Sequence, residues 1–142
     1  MITPQSPDAD WINWTLDARP TIAVVGISNN PQRPSYQASA YLLEQGFNLI
    51  PVNPRYTSVL GRPCHPSLAA VPVPIGVVNL FQASDKVTPF VEQAISLGAA
   101  LVWMQLGIVN EDAAALARAA NLGVIMDRCI KIEHELRQSP AG

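Results

Sequence analysis

Apolar residues along this chain fall into short unbroken runs: TIAVVG (21–26), FNLIPV (47–52), IGVVNLF (75–81), ALVWMQ (100–105) and GVIMD (123–127). Each is too short for a helix and is bounded by turn residues. Their apolar positions are continuous rather than alternating, the mark of strands buried on both faces of a parallel sheet. Between them lie stretches with helical spacing. In SYQASAYLLEQG (35–46), Tyr36, Ala40 and Leu43 share a stripe, and Gly46 suits the residue just past a helix end. DKVTPFVEQAISLG (85–98) carries Val87, Phe90, Val91 and Ala94 on one face, tolerates Pro89 in its first turn and ends at Gly98. NEDAAALARAANLG (110–123) opens with acids, aligns Ala113, Leu116, Ala117 and Ala120, and is followed by Gly123. IKIEHELRQ (130–138) closes the chain as an amphipathic helix, and residues 139–142 read as a frayed tail.

The alternation predicts an α/β fold with a doubly wound, Rossmann-like parallel sheet. A helical extension precedes it within residues 1–20, where SPDADWINWTLDA (6–18) reads as a short helix that Asp8 or Asp10 could cap. Trp11 and Trp14 lie three apart and share a face, either packed on the chain's own sheet or offered to another subunit. The stretch NPRYTSVLGRPCHPSLAAVPVP (53–74) carries five prolines and no long helical pattern. Leu60 to His65 could supply one short edge strand there, and PSLAAV a single helical turn. Right-handed crossovers then give strand order 3-2-1-4-5-6, the short strand being third. The topological switch point falls between the first strand, ending at Gly26, and the fourth, ending at Leu80 or Phe81. Ligands of open parallel sheets sit there, outside the carboxyl ends of the strands.

Composition narrows the classes. A chain of 142 residues is expected to form a single domain with a real core. Apolar residues make up 49% and charged residues 14%, so much of the chain is buried or a partner covers part of it. Nine Lys and Arg are spread thinly in a net charge of −2, which argues against nucleic acid as a partner. No apolar run reaches the ~18 residues of a membrane span, and the N-terminal MITPQSPDAD is no signal peptide. Cys64 and Cys129 lack metal spacing and read as reduced thiols of a cytoplasmic protein. His65 and His134 form no pair, so no structural metal is expected.

Candidate chemistry therefore lies in the loops at the carboxyl edge. The first loop holds Gly26, Ile27, Ser28, Asn29, Asn30 and Arg33, then Pro34, Ser35 and Tyr36. Gly26 permits a sharp turn and close approach of a ligand, Ser35 can cap the next helix, and free N–H groups there can bind an anion that Arg33 would also attract. It is no dinucleotide loop, for the second and third glycines of G-x-G-x-x-G are missing. The second loop, Asn53, Pro54 and Arg55, lacks the acid that grips a ribose 2′-hydroxyl in NAD sites. Arg55, with Arg62 beyond it, suits an extra ribose phosphate, as on NADP or coenzyme A. Phe81, Gln82, Ala83 and Ser84 follow the fourth strand, Gln105, Leu106 and Gly107 the fifth, and Asp127, Arg128 and Cys129 the last. Asp127 and Arg128, adjacent in sequence, are expected to serve each other structurally. Cys129 is the one nucleophile candidate, which Arg128 and the following helix start could activate; the alternative is a buried, inert thiol. No Ser/His/Asp set and no carboxylate pair appears at one rim, so binding is better supported than catalysis.

The strings AVVGISNNPQRPSY, LIPVNPRY, LGRPCHPSL, VVNLF and GAALVWMQLGIVNEDAAALARAANLGVIMDRCIKIEH, in that order over about Thr21 to Leu136, carry a resemblance. The chain resembles the small stand-alone CoA-binding proteins, which are similar to the CoA-binding domain of the succinyl-CoA synthetase α subunit. The resemblance implies a Rossmann-like sheet binding coenzyme A, or an acyl-CoA, at its carboxyl edge. It implies that Gly26, Ile27, Ser28, Asn29, Arg33, Ser35 and Tyr36 lie against the phosphates, and that Asn53, Pro54 and Arg55 meet the nucleotide end. It further implies that Leu80, Phe81 and Gln82 flank the ligand, and that Trp103, Gln105 and Gly107 approach the thiol arm. The synthetase's phosphorylated histidine belongs to a further domain, and neither His65 nor His134 stands in a matching motif. Ligase activity is not carried over. The expectation is a non-catalytic CoA-binding carrier, sensor or regulatory module. The alternative is an NADP-linked or Cys129-dependent acyl-CoA enzyme on the same fold. A homo-oligomer or protein partner could use the Trp11/Trp14 face.

Overall fold

The computed structural model describes residues 1–138; the tail at 139–142 lies outside them. Helix α1 (Asp8–Ala18) leads into β1 (Ile22–Val25), followed by α2 (Pro34–Glu44) and β2 (Leu49–Val52). A hairpin of β3 (Ser58–Val59) and β4 (Arg62–Pro63) comes next, then β5 (Val77–Leu80), α3 (Thr88–Leu97), β6 (Leu101–Met104), α4 (Glu111–Ala119), β7 (Gly123–Ile125) and α5 (Ile130–Gln138). The central sheet has five strands, all parallel, in the order β2-β1-β5-β6-β7. Its strands alternate their side chains between two cores. Ala23, Val25, Val78, Leu80, Val102 and Met104 meet α3 and α4 on one face. Ile22, Val24, Val77, Leu101, Trp103 and Ile125 face α1, α2 and α5 on the other.

The doubly wound α/β class is as the sequence predicts, but the strand order differs in detail. The short third strand shrinks to a single parallel bridge between Val52 and His65, on the outer side of β2. His65 N–H donates to Pro51 O at 3.0 Å and Asn53 N–H to His65 O at 2.9 Å. Pro63 and Pro66 flank His65 and have no N–H to extend the ladder. Residues 60–63 instead belong to the β3–β4 hairpin. Its two-residue turn puts Leu60 at φ 54° and Gly61 at φ 73°, the handedness that tight hairpins need. PSLAAV yields one 3-10 turn at Leu68–Ala70.

Three local expectations are corrected. Neither Asp8 nor Asp10 caps α1: Pro7 is its N-cap, and both acids sit in the first turn, where they still oppose the helix dipole. In α2 the buried positions are Ser35, Ala38, Ser39 and Leu42, so small residues let the helix lie close to the sheet while Tyr36, Ala40 and Leu43 flank it half-buried. In α4, Ala114 is buried and Leu116 is exposed. Gly123, after α4, opens β7 as the run GVIMD predicts, and Asn121, at φ 71°, makes the turn before it. The reason for glycine there is Trp11, whose ring would lie 2.1 Å from a Cβ at position 123. Trp11 thus packs on its own sheet, with Trp14 half-buried and edge-on to it at 5.5 Å.

Candidate functional site

A cleft of about 930 Å³ runs along the carboxyl edge of the sheet and takes in the loops after all five strands. From the sequence-assigned residues it gathers Gly26, Ile27, Ser28, Arg33 and Ser35 of the first loop and Asn53, Pro54 and Arg55 of the second. Phe81, Gln82 and Gln105 complete that set.

The first loop is shaped by its polar side chains. Gly26, at φ 82°, passes so close to the loop after β5 that a Cβ would sit 2.5 Å from Phe81 O. Ser35 is not the cap of α2. Arg33, with extended backbone at φ −87° and ψ 144°, occupies that place, and Pro34 takes the first helical position. Ser35 Oγ instead accepts the Ser28 N–H across the loop at 2.9 Å. Ser28 Oγ in turn accepts the Asn30 N–H at 3.0 Å, and Asn30 Oδ1 the Gln32 N–H at 2.9 Å. Asn53 ties the second loop to the first, its Nδ2 donating to Ile27 O at 2.9 Å while its Oδ1 accepts the Arg55 N–H. The first turn of α2 is left facing the cleft, with free N–H groups of the kind that receive anions. Arg33 and Arg55 are exposed, and neither is ion-paired among the described residues. The cleft lining holds these two cations and no carboxylate.

Five assigned residues stand outside the lining. Asn29 reaches away to Ser58 O at 3.3 Å. Tyr36 flanks the core of its helix, and Leu80 is fully buried against α3 and α4. Trp103 is fully buried too, on the α1 and α5 side, its indole N–H donating to Arg128 O at 2.8 Å. Gly107 sits at the back of its turn, its N–H held by Asp127 Oδ1 at 2.7 Å. Gln105 lies at the cleft floor with both ends of its amide engaged. Its Nε2 donates to the buried Asn79 Oδ1, and its Oε1 accepts the Ile130 N–H at the start of α5 at 3.0 Å.

The lining also includes Asn30, Pro34, Ala83, Leu106 and Cys129, present in the loops read from sequence but not assigned, together with Tyr56 and Ile108. Tyr56 could have been found from its place beside Arg55. Ile108 enters only because residues 105–108 fold into a turn. Asp127 and Arg128 do not serve each other. Asp127 holds Gly107, while Arg128 pairs with Asp8 at 3.2 Å and Glu133 at 3.6 Å. Of the two cysteines, Cys129 is half-buried in the cleft wall; Cys64 is buried, and its burial pushes the thiol's pKa up. Among the described residues no group of three His, Cys, Asp or Glu could hold a metal, and no helix is long and apolar enough to cross a membrane.

The fold is a Rossmann-like sheet with a cationic, carboxylate-free cleft at its switch point, the place where open parallel sheets bind their ligands. The chain belongs to the CoA binding domain family, whose profile matches residues 20–135, and that family implies a small-molecule CoA ligand. It is similar to the Bacillus subtilis protein YneT, with 36% identity over 130 residues, 92% of this chain and 96% of that one. A solved structure of a Pyrococcus horikoshii OT3 protein superposes with a TM-score of 0.89 at 40% identity, covering 96% of this chain and 95% of that one. The fold also recurs in the dinucleotide-forming acetyl-coenzyme A synthetase 1 of Ca. Korarchaeum cryptofilum, at TM-score 0.71 and 24% identity, over 78% of this chain and 26% of that one.

Proposed function

We propose that this chain is a non-catalytic, cytoplasmic single-domain binder of coenzyme A, acting as a carrier, sensor or regulatory module. The observation that carries the reading is the lining of the cleft: two arginines without an ion pair among the described residues and the open start of α2, with no carboxylate in the lining. The phosphates lie on Ser28, the first turn of α2 and Arg33, and the 3′-phosphate meets Arg55. The pantetheine arm then passes Phe81 and Gln82 toward β6. The lining offers no His, Asp or Glu as a general base, which supports binding over acid–base chemistry.

Isothermal titration with CoA and 3′-dephospho-CoA tests this. Arg33→Ala weakens both ligands and Arg55→Ala weakens CoA alone, each by about 5- to 30-fold, on the scale of one charge-assisted hydrogen bond of ~1–2 kcal/mol. Added salt lowers the affinity of the wild type more than that of either variant. An absence of saturable binding below roughly millimolar CoA, ~4 kcal/mol of affinity, overturns the reading. A second reading rests on Cys129 in the cleft wall: a thiol enzyme that takes the acyl group of an acyl-CoA. Intact-mass spectrometry after acyl-CoA exposure decides it, an adduct on Cys129 supporting the enzyme and an unmodified thiol excluding it.

A further inference from the structure

Resting on the coenzyme A reading, we infer that the physiological ligand is a thioester whose acyl chain lies on Leu106 and Ile108, rather than the free thiol. The order of the strands gives the cleft a direction. Arg55 and Arg33 follow β2 and β1 at one end, while Leu106, Ile108 and Cys129 follow β6 and β7 at the other. Three strand spacings of ~4.8 Å separate β2 from β6, roughly 14 Å, and a fourth carries the cleft on to β7. A ligand with its phosphates on the arginines therefore delivers its sulfur to the β6 end.

That end is built for something apolar. Leu106 is 62% exposed, on a backbone turn that hydrogen bonds hold from both sides. Residues 105–108 form a turn closed by Ile108 N–H to Gln105 O at 2.9 Å, with Gly107 at φ 84° in the third position, the arrangement of a type II turn. Asp127 clamps its outer side through the Gly107 N–H at 2.7 Å, and its own N–H donates to Ile108 O at 3.2 Å. Ser84, from the loop after β5, fixes the next residues by accepting the Val109 N–H at 3.0 Å and the Asn110 Nδ2 at 2.9 Å. An exposed leucine on a pinned turn stands ready to bury a ligand without first being ordered. A terminal thiol is too small to cover Leu106. An acyl chain continuing from the sulfur covers it, and because this apolar patch is continuous with the cleft, the ligand itself is its occupant.

Titration of the full chain with CoA, acetyl-CoA, butyryl-CoA and hexanoyl-CoA tests this, with S-alkyl-CoA thioethers repeating the series where acyl transfer to Cys129 is blocked. Affinity is expected to rise roughly two- to fourfold per buried methylene, and Leu106→Ser to collapse the hexanoyl-to-CoA ratio toward one. Leu106 is exposed, so the substitution leaves the fold intact, and Ile108→Thr gives a second, independent reduction of that ratio. Equal affinity for all four ligands overturns the inference while leaving CoA binding standing. So does a Leu106→Ser variant that keeps the full chain-length dependence but dissociates an oligomer in native mass spectrometry. Failure of every ligand to bind overturns the coenzyme reading itself.

Discussion

At position 26 the backbone adopts φ 82° and passes within 2.5 Å, measured from an added Cβ, of Phe81 O. Gly26→Ala therefore combines left-handed strain with a backbone clash and is expected to cost about 2–4 kcal/mol in urea unfolding, together with ligand binding. Gly123→Ala drives its Cβ into the Trp11 ring; it is expected to cost about 1–3 kcal/mol and to shift tryptophan fluorescence while leaving the cleft in place. The first requirement was legible, since a lone glycine ends a strand before a polar loop. The second was not, because the ring that fills the space comes from residue 11. His134 is a third residue-scale case. Its Nδ1 meets Tyr41 OH at 2.7 Å, and Phe47 and Tyr41 stand edge-on to the ring. Burial, then Arg19 and Arg137, hold its pKa below the ordinary histidine value, with Glu135 opposing. The unfolded chain takes up this proton first as pH falls, so the stability His134 contributes is full above about pH 6.5 and is lost below it. Urea unfolding from pH 7.5 to 5 is expected to show this decline in the wild type and a shallower one in His134→Gln.

The elements show why helix boundaries were easier to read than helix faces. Gly46 and Gly98, both at positive φ just past α2 and α3, marked their ends correctly. Stripes drawn from the largest apolar residues misplaced the buried face of α2, because close packing on the sheet selects Ala38 and the two serines over Tyr36 and Leu43. Residue type alone suggests Ser35 as a cap, whereas the backbone of Arg33 and the ring of Pro34 set the helix start. Its actual role links helix to loop. Ser35→Ala is expected to leave the Ser28 N–H unpartnered, cost about 1–2 kcal/mol and loosen the first loop, seen as faster amide exchange at Ser28. The β3–β4 hairpin was illegible as such, since leucine is an unusual residue at the φ 54° position of a tight turn.

Across the whole molecule, the alternation of buried strands and helices was enough to place β1 beside β5 and so to locate the cleft. What sequence could not supply was how far each loop folds back, which brings in Tyr56 and Ile108 and leaves Asn29 outside, whereas Leu80 and Trp103 stay outside because their strands turn them into the two cores. The cleft draws on loops after every strand, so a ligand there braces the entire sheet edge. CoA at a hundredfold its Kd is expected to add about 2.7 kcal/mol of stability, read as a rise of several degrees in Tm that Arg33→Ala reduces.

The single bridge at His65 has a consequence for how this chain meets copies of itself. An open parallel sheet ordinarily offers its borders to other strands. Here the border at β2 is occupied by His65 between two prolines, and Pro51 within β2 has no N–H to donate. The border at β7 is only three residues long and ends where Asp127, at φ 60°, swings the backbone out of register. Neither can template an incoming strand. Proline at one border and brevity at the other disfavour sheet extension between molecules and the fibrils that grow from it, which leaves the helices and loops as the surfaces on which copies can meet.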